Sequence, residues 1–185
     1  MRIALTGGIG SGKSYVCRLL EQRGISIYDC DAAAKRLMRT STALQRQLQA
    51  LVGEEVYADG QLDKAMMAQF LLASEDNAKA INDIVHPAVA ADFLGSGYLW
   101  MECAILFESG FDRLVDRTIC VAAPQEVRIR RVMLRDGISL EKALEWMGRQ
   151  WPQEDVVRRA DYCIVNDGAE PLEEQIDTIL SLINS

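Results

Sequence analysis

Residues 7–14 read Gly-Gly-Ile-Gly-Ser-Gly-Lys-Ser, the spacing G-x-x-x-x-G-K-[ST], between an apolar run at Ile3–Thr6 and a helical stripe of Val16, Leu19 and Leu20. Such a loop turns backbone N–H groups inward around phosphate oxygens, so it needs a buried strand leading in and a helix N-terminus leading out. The segment therefore predicts an α/β fold and a nucleoside triphosphate site. Lys13 is placed to reach the β- and γ-phosphates and Ser14 to give its hydroxyl to Mg²⁺, while Gly8, Ile9, Gly10, Ser11, Gly12 and Tyr15 complete the phosphate-binding set. The competing explanation, a glycine turn needing positive φ, does not account for an eight-residue match in this strand-and-helix context.

The rest of the chain has the matching rhythm. Apolar runs at Ile25–Tyr28, Leu99–Cys103, Thr118–Ala122 and Asp161–Val165 predict further strands. Together they imply a P-loop NTPase-type, parallel five-stranded sheet with helices on both faces. Leu172, Ile176, Ile179, Leu180 and Ile183 predict an amphipathic helix that closes it. Between Asp31 and Gly97 only helical patterns appear, broken at Gly53, near Asp59-Gly60 and before His86-Pro87, where Pro87 is expected to open a helix. One domain is expected, with core 1–30, 98–123 and 160–185, an all-helical insert at 31–97 and a helical lid at 124–159.

Charge bears on the partner. The chain of 185 residues carries 20 Lys+Arg against 27 Asp+Glu, a formal charge of −7, which argues against nucleic-acid binding because each neutralised phosphate needs its own cation. Basic charge gathers instead between residues 128 and 159. Arg128, Arg131 and Arg135 recur at i, i+3 and i+7, one helical face able to cover a triphosphate, although a solvated face paired with Glu126, Asp136 and Glu141 is the bland alternative. Five scattered cysteines without a Cys-x-x-Cys pair read as reduced thiols. With no signal peptide or membrane span in view, a cytoplasmic protein is expected, monomer favoured.

Carboxylates supply the remaining chemistry. Asp29-Cys30-Asp31 ends the second strand, where a carboxylate suits a base that orients an acceptor hydroxyl, although Asp31 as a plain helix N-cap fits equally well. Glu102 closes the third strand as a candidate to hold the metal through water. Glu108 lies on the loop beyond, open to an Arg partner. His86, the only histidine, is a candidate acceptor contact with Pro87, against a purely structural role at a helix boundary. Asn166-Asp167-Gly168 either borders the adenine or makes a turn. No Asn-Lys-x-Asp guanine motif is present.

Taken in order, these residues resemble the dephospho-CoA kinase family. Leu5 through Ser14 look like its opening, Asp29-Cys30-Asp31 like its Asp-x-Asp and His86-Pro87 like its His-Pro. Leu106-Phe107-Glu108 is similar to the end of its Pro-Leu-Leu-Phe-Glu segment, Arg131 and Arg135-Asp136 to its lid helix, and Ala160-Asp161 through Gly168 to its closing signature. The resemblance implies ATP-dependent phosphorylation of the 3′-hydroxyl of dephospho-CoA, with Asp31 as base, Asp29 as a supporting carboxylate, Lys13 and Arg135 at the transferring group, and a CoA-binding insert. Tyr15 stands where the family commonly has Thr, Ala104-Ile105 where it has Pro-Leu, and Trp146 where many members carry Arg. The alternatives are another small-molecule P-loop kinase, for a nucleoside or nucleotide, or a nucleotide-dependent switch protein.

Overall fold

The computed structural model describes residues 1–58 and 60–183. The chain divides into two compact units, Met1–Tyr28 with Tyr98–Ser185, and Asp29–Gly97.

The first unit is built on a sheet of five strands, β1 (Ile3–Thr6), β2 (Ile27–Asp29), β5 (Trp100–Glu102), β6 (Arg117–Ala122) and β7 (Tyr162–Val165), in the order β2-β5-β1-β6-β7. The ladders of β1 with β5, β1 with β6 and β6 with β7 are parallel. Alternation sends Ile3, Leu5, Ile119, Val121 and Ile164 to one face. There they pack with Val16, Leu19 and Leu20 of α1 (Lys13–Glu21) and Ile176, Ile179 and Ile183 of α9 (Leu172–Ile183). On the opposite face Ala4, Met101 and Cys120 are buried as well, as expected of parallel strands covered on both sides. Between β6 and β7 lie α6 (Gln125–Asp136), α7 (Leu140–Gly148) and α8 (Gln153–Arg159), within this same unit.

The second strand begins later than its apolar run suggests. Gly24, at φ 81°, ends α1, and the Ile25 N–H donates back to the Leu20 carbonyl, so Ile25 closes a helix instead of joining the sheet.

The second unit comprises α2 (Cys30–Thr40), α3 (Thr42–Val52), a 3₁₀ turn (Glu54–Val56), β3 (Tyr57–Ala58), β4 (Gln61–Leu62), α4 (Lys64–Ala73) and α5 (Glu75–Gly95). Side chains of Asp29, Ser41, Asp63 and Ser74 cap the helix N-termini, which explains the dense alternation of short helices. Two expectations are corrected here. The unit is not all helical, because β3 and β4 pair antiparallel, Tyr57 with Leu62. Two-residue strands are too short to show a period, and of the expected break at Asp59-Gly60 only Gly60, at φ 74°, lies within the described residues. Nor does Pro87 open a helix, since it stands inside the 21-residue α5. The buried stripe of Ile81, Val85, Val89 and Phe93, one residue every four, carries the helix through a residue that cannot donate to the Asp83 carbonyl.

Phe93 is 1% exposed and Leu134 79% exposed. Phe93→Ala is expected to destabilise the chain by about 3–5 kcal/mol and Leu134→Ala by no more than about 0.5 kcal/mol, read by urea unfolding. Equal effects would contradict the core assignment. Pro87→Ala should raise stability by up to about 3 kcal/mol in the same assay, because it restores a helix donor.

Candidate active site

The loop between β1 and α1 takes its shape from glycines. Gly10 at φ 79° and Gly12 at φ 93° hold left-handed conformations, and a Cβ at Gly12 would stand 2.1 Å from Asn166 Nδ2. The Ser11 N–H donates to the Gly8 carbonyl at 3.1 Å, closing a tight turn. Gly12 caps α1 without any side-chain acceptor, which leaves the first-turn N–H groups facing a prospective anion. The Ser11 hydroxyl is buried with no hydrogen-bond partner. A buried orphan hydroxyl is costly, and a phosphate oxygen at this loop is a fitting acceptor.

Cations line the loop. Lys13 Nζ lies 3.8 Å from Glu102 Oε1, with the two side chains 11% and 17% exposed. Burial lowers the Lys13 pKa and the Glu102 carboxylate opposes that shift, so the ammonium is poorly hydrated and primed for a stronger anion. Arg128, buried on α6, donates through Nε to the Ile9 carbonyl at 3.0 Å. Arg131 donates through Nη1 to the Asn166 carbonyl at 3.0 Å and to the Ser11 carbonyl at 3.4 Å, and through Nη2 to Asn166 Oδ1 at 3.3 Å. Asn166, buried after β7, gives its Nδ2 to the Ser11 carbonyl at 2.8 Å. The Ile9 N–H is taken by Gln150 Oε1 at 2.7 Å.

The structure thus gathers Gly8, Ile9, Gly10, Ser11, Gly12, Lys13, Glu102, Arg131 and Asn166 around one loop. Arg135 is not brought there. One turn further along α6, it pairs with Asp136 at the surface, Nη2 to Oδ2 at 2.7 Å. Ser14 and Tyr15 are both exposed in the first turn of α1, where Tyr15 lies under the Arg18 guanidinium. Glu108 accepts the Trp151 N–H at 3.0 Å rather than an Arg side chain. Next to it Phe107 and Trp151 stack, with Arg159 over both rings. Gly168, at φ 92°, serves the turn in which Asp167 accepts the N–H groups of Ala169 and Glu170.

Asp29, Asp31, His86 and Pro87 belong to the second unit. The N-cap of α2 is Asp29, which accepts the Ala32 N–H at 2.9 Å, and not Asp31. Asp31, exposed in the first turn, pairs with Lys35 through Oδ2. Half-buried His86 has its pKa lowered by burial, opposed by Asp83. Sequence reasoning leaves Gln150 out of the site, since nothing local signals it, whereas the i, i+3 spacing already groups Arg128 with Arg131.

Comparison with known proteins gives this arrangement its relatives. A family model described as dephospho-CoA kinase matches residues 1–171. A dephospho-CoA kinase of Bacteroides fragilis is 38% identical over 99% of this chain and 93% of its own length. The crystal structure of TT1252 from Thermus thermophilus superposes with a TM-score of 0.85 at 32% identity, covering 99% of this chain and 97% of that one. A dephospho-CoA kinase from Campylobacter jejuni shares the fold, with a TM-score of 0.69 at 20% identity over 98% of this chain and 96% of its own. With the phosphate-type loop in place and a match running through the closing Asn166 turn, the chain belongs to the dephospho-CoA kinase family.

Proposed function

We propose that this chain transfers the γ-phosphoryl group of ATP to the ribose 3′-hydroxyl of dephospho-CoA, giving coenzyme A and ADP, the last step of CoA biosynthesis. The observation that carries the reading is the loop at residues 7–14, with its glycine geometry, orphan Ser11 hydroxyl and buried Lys13, in a chain matched by the family model over residues 1–171. Phosphoryl transfer asks the protein mainly for positioning and for charge placed where the transferring oxygens gather. The loop N–H groups and Lys13 grip the β- and γ-phosphates. Arg131 adds charge at the loop rim, and Arg135, on the same helix of the lid (residues 124–159), joins it by exchanging Asp136 for the nucleotide. Asn166 and Gly168 border the nucleotide where β7 ends.

Asp31 takes the acceptor proton. What favours it over Asp29 is local: the Asp29 carboxylate holds the α2 N-terminus, while Asp31 engages Lys35 through Oδ2 and keeps Oδ1 for a hydroxyl. Asp29, His86, Pro87 and Glu108 contact the acceptor, for which residues 31–97 form the binding insert.

Ser14 and Glu102 offer hard oxygen ligands, and among the described residues no group of three His, Cys, Asp or Glu forms a cage. Such a donor set fits Mg²⁺, which keeps waters and shares phosphate oxygens. Bound there, the ion neutralises charge on the phosphates. No helix among the described residues is long and apolar enough to cross a membrane, and none of the five cysteines forms a disulfide, with burial pushing the Cys120 thiol up to about 12. Action on a small molecule follows from the family match, and the cytoplasm is the compartment proposed for it.

Coupled measurement of ADP release should show turnover that depends on dephospho-CoA and is weak with nucleosides or with no acceptor; acceptor-independent hydrolysis would contradict the assignment. Asp31→Asn should lower kcat by ~10²-fold or more while ATP affinity holds. Full turnover at saturating substrates in that variant would remove Asp31 from its role. Lys13→Ala is expected to weaken both ATP binding and transfer, and unchanged values of both would contradict its place at the phosphates.

A further inference from the structure

The peptide planes of the phosphate-type loop are held from outside in a way that neither the motif nor the family relation assigns. In a planar trans peptide the C=O and N–H point in opposite directions, so a donor that pins a carbonyl on the outer side of the loop aims the next N–H inward. Two peptides are held like this. The Ile9 carbonyl accepts Arg128 Nε at 3.0 Å, and the Ser11 carbonyl accepts Asn166 Nδ2 at 2.8 Å. The N–H groups on those same peptides belong to Gly10 and Gly12. Among the described residues no acceptor meets either of them.

The first of these peptides is the one with a choice. The Ser11-to-Gly8 hydrogen bond and the Gly10 φ of 79° mark residues 8–11 as a type II turn. Types I and II differ by a rotation of roughly 180° of the central peptide, here Ile9–Gly10. One orientation turns the Gly10 N–H into the loop and the other turns it out.

We propose that Arg128 is a positioning residue, a hydrogen-bond donor through Nε that locks the Ile9–Gly10 peptide so that the Gly10 N–H meets a phosphate oxygen. Three observations place it in this role. The contact is made by Nε, at the base of the guanidinium, and not by its outer nitrogens. The guanidinium lies against the loop itself, where a Cβ at Gly8 would stand 2.3 Å from Arg128 Nη2. The α6 backbone is equally close, with the Arg128 carbonyl 2.6 Å from a Cβ at Gly10, so α6 forms the wall on which the turn rests. Gln150 grips the Ile9 N–H, which fixes the neighbouring peptide and leaves the central one to Arg128.

The rival role is that of a phosphate-binding cation, since no carboxylate forms an ion pair with Arg128 among the described residues. Side-chain topology separates the two. Gln carries its Nε2 the same number of bonds from Cα as the Arg Nε, giving the donor without the charge, and Met has comparable length with neither. The inference rests on the loop being a phosphate site, so the probe is ADP with Mg²⁺ on the full chain, followed by calorimetry and by amide NMR.

Arg128→Met should weaken ADP binding by about 10-fold and abolish the ADP-induced shift of the Gly10 amide while the Gly12 shift persists. Arg128→Gln should recover affinity to within about 3-fold of the parent and restore the Gly10 shift. Equal weakness of the two variants would overturn the donor role in favour of charge. If Arg128→Met does not fold, the Gly10 shift in Arg128→Gln decides alone, its presence supporting the role and its absence ending it. In the parent chain, shifts at Gly12 and Lys13 without one at Gly10 would overturn this inference only. No shift at any loop amide would overturn the phosphate reading, and the inference with it.

Discussion

Everything at the candidate site depends on burying one short loop against a helix and a sheet without letting its carbonyls turn inward. A loop that is to bind phosphate must present N–H groups to it, yet each inward N–H requires an outward C=O on the same rigid plane. Here the outward carbonyls of Ile9 and Ser11 meet Arg128 and Asn166, so their hydrogen bonds are made before any ligand arrives. Preorganisation of this kind removes reorganisation from the moment of reaction, which is where fixed dipoles contribute most to phosphoryl transfer. The sheet supplies the frame. Because β1, β6 and β7 run parallel, the loops after their carboxyl ends converge, and residue 166 reaches residue 11 across a separation of 155 in sequence.

Electrostatics reinforces the geometry. An overall charge of −7 would repel a nucleotide at long range, and at 0.15 M salt that repulsion is screened beyond about 8 Å. Close to the loop the balance reverses, because Lys13, Arg128 and Arg131 sit there, with the Glu102 carboxylate beside Lys13. Burial lowers the Lys13 pKa and the Glu102 carboxylate opposes that shift, so the charged form of Lys13 depends on an anion beside it.

How much of this was legible in the sequence follows from the range of each interaction. The loop itself is local, and its glycines, Lys13 and Ser14 identify it without tertiary information. The sheet strands are legible because Ile3–Thr6 and Thr118–Ala122 are short, nearly continuous apolar runs, as parallel strands covered on both faces require, and α9 because its apolar residues recur at helical spacing. Pro87 misleads because its local cost is overridden by a stripe that only packing makes visible. The hairpin of β3 and β4 escapes because two residues show no period. Spacing alone groups Arg135 with Arg128 and Arg131, but one more helical turn carries it away from the loop to Asp136. Gln150, 141 residues from Ile9, has no local signature at all.

The most direct test of the account is a crystal structure of the chain with a non-hydrolysable ATP analogue, read at the loop peptides. The account predicts phosphate oxygens on the Gly10 and Gly12 N–H groups, with Arg128 still donating to the Ile9 carbonyl and Asn166 to the Ser11 carbonyl. A bound nucleotide with either of those carbonyls turned toward the phosphates, or with its phosphates held away from the loop, would contradict it.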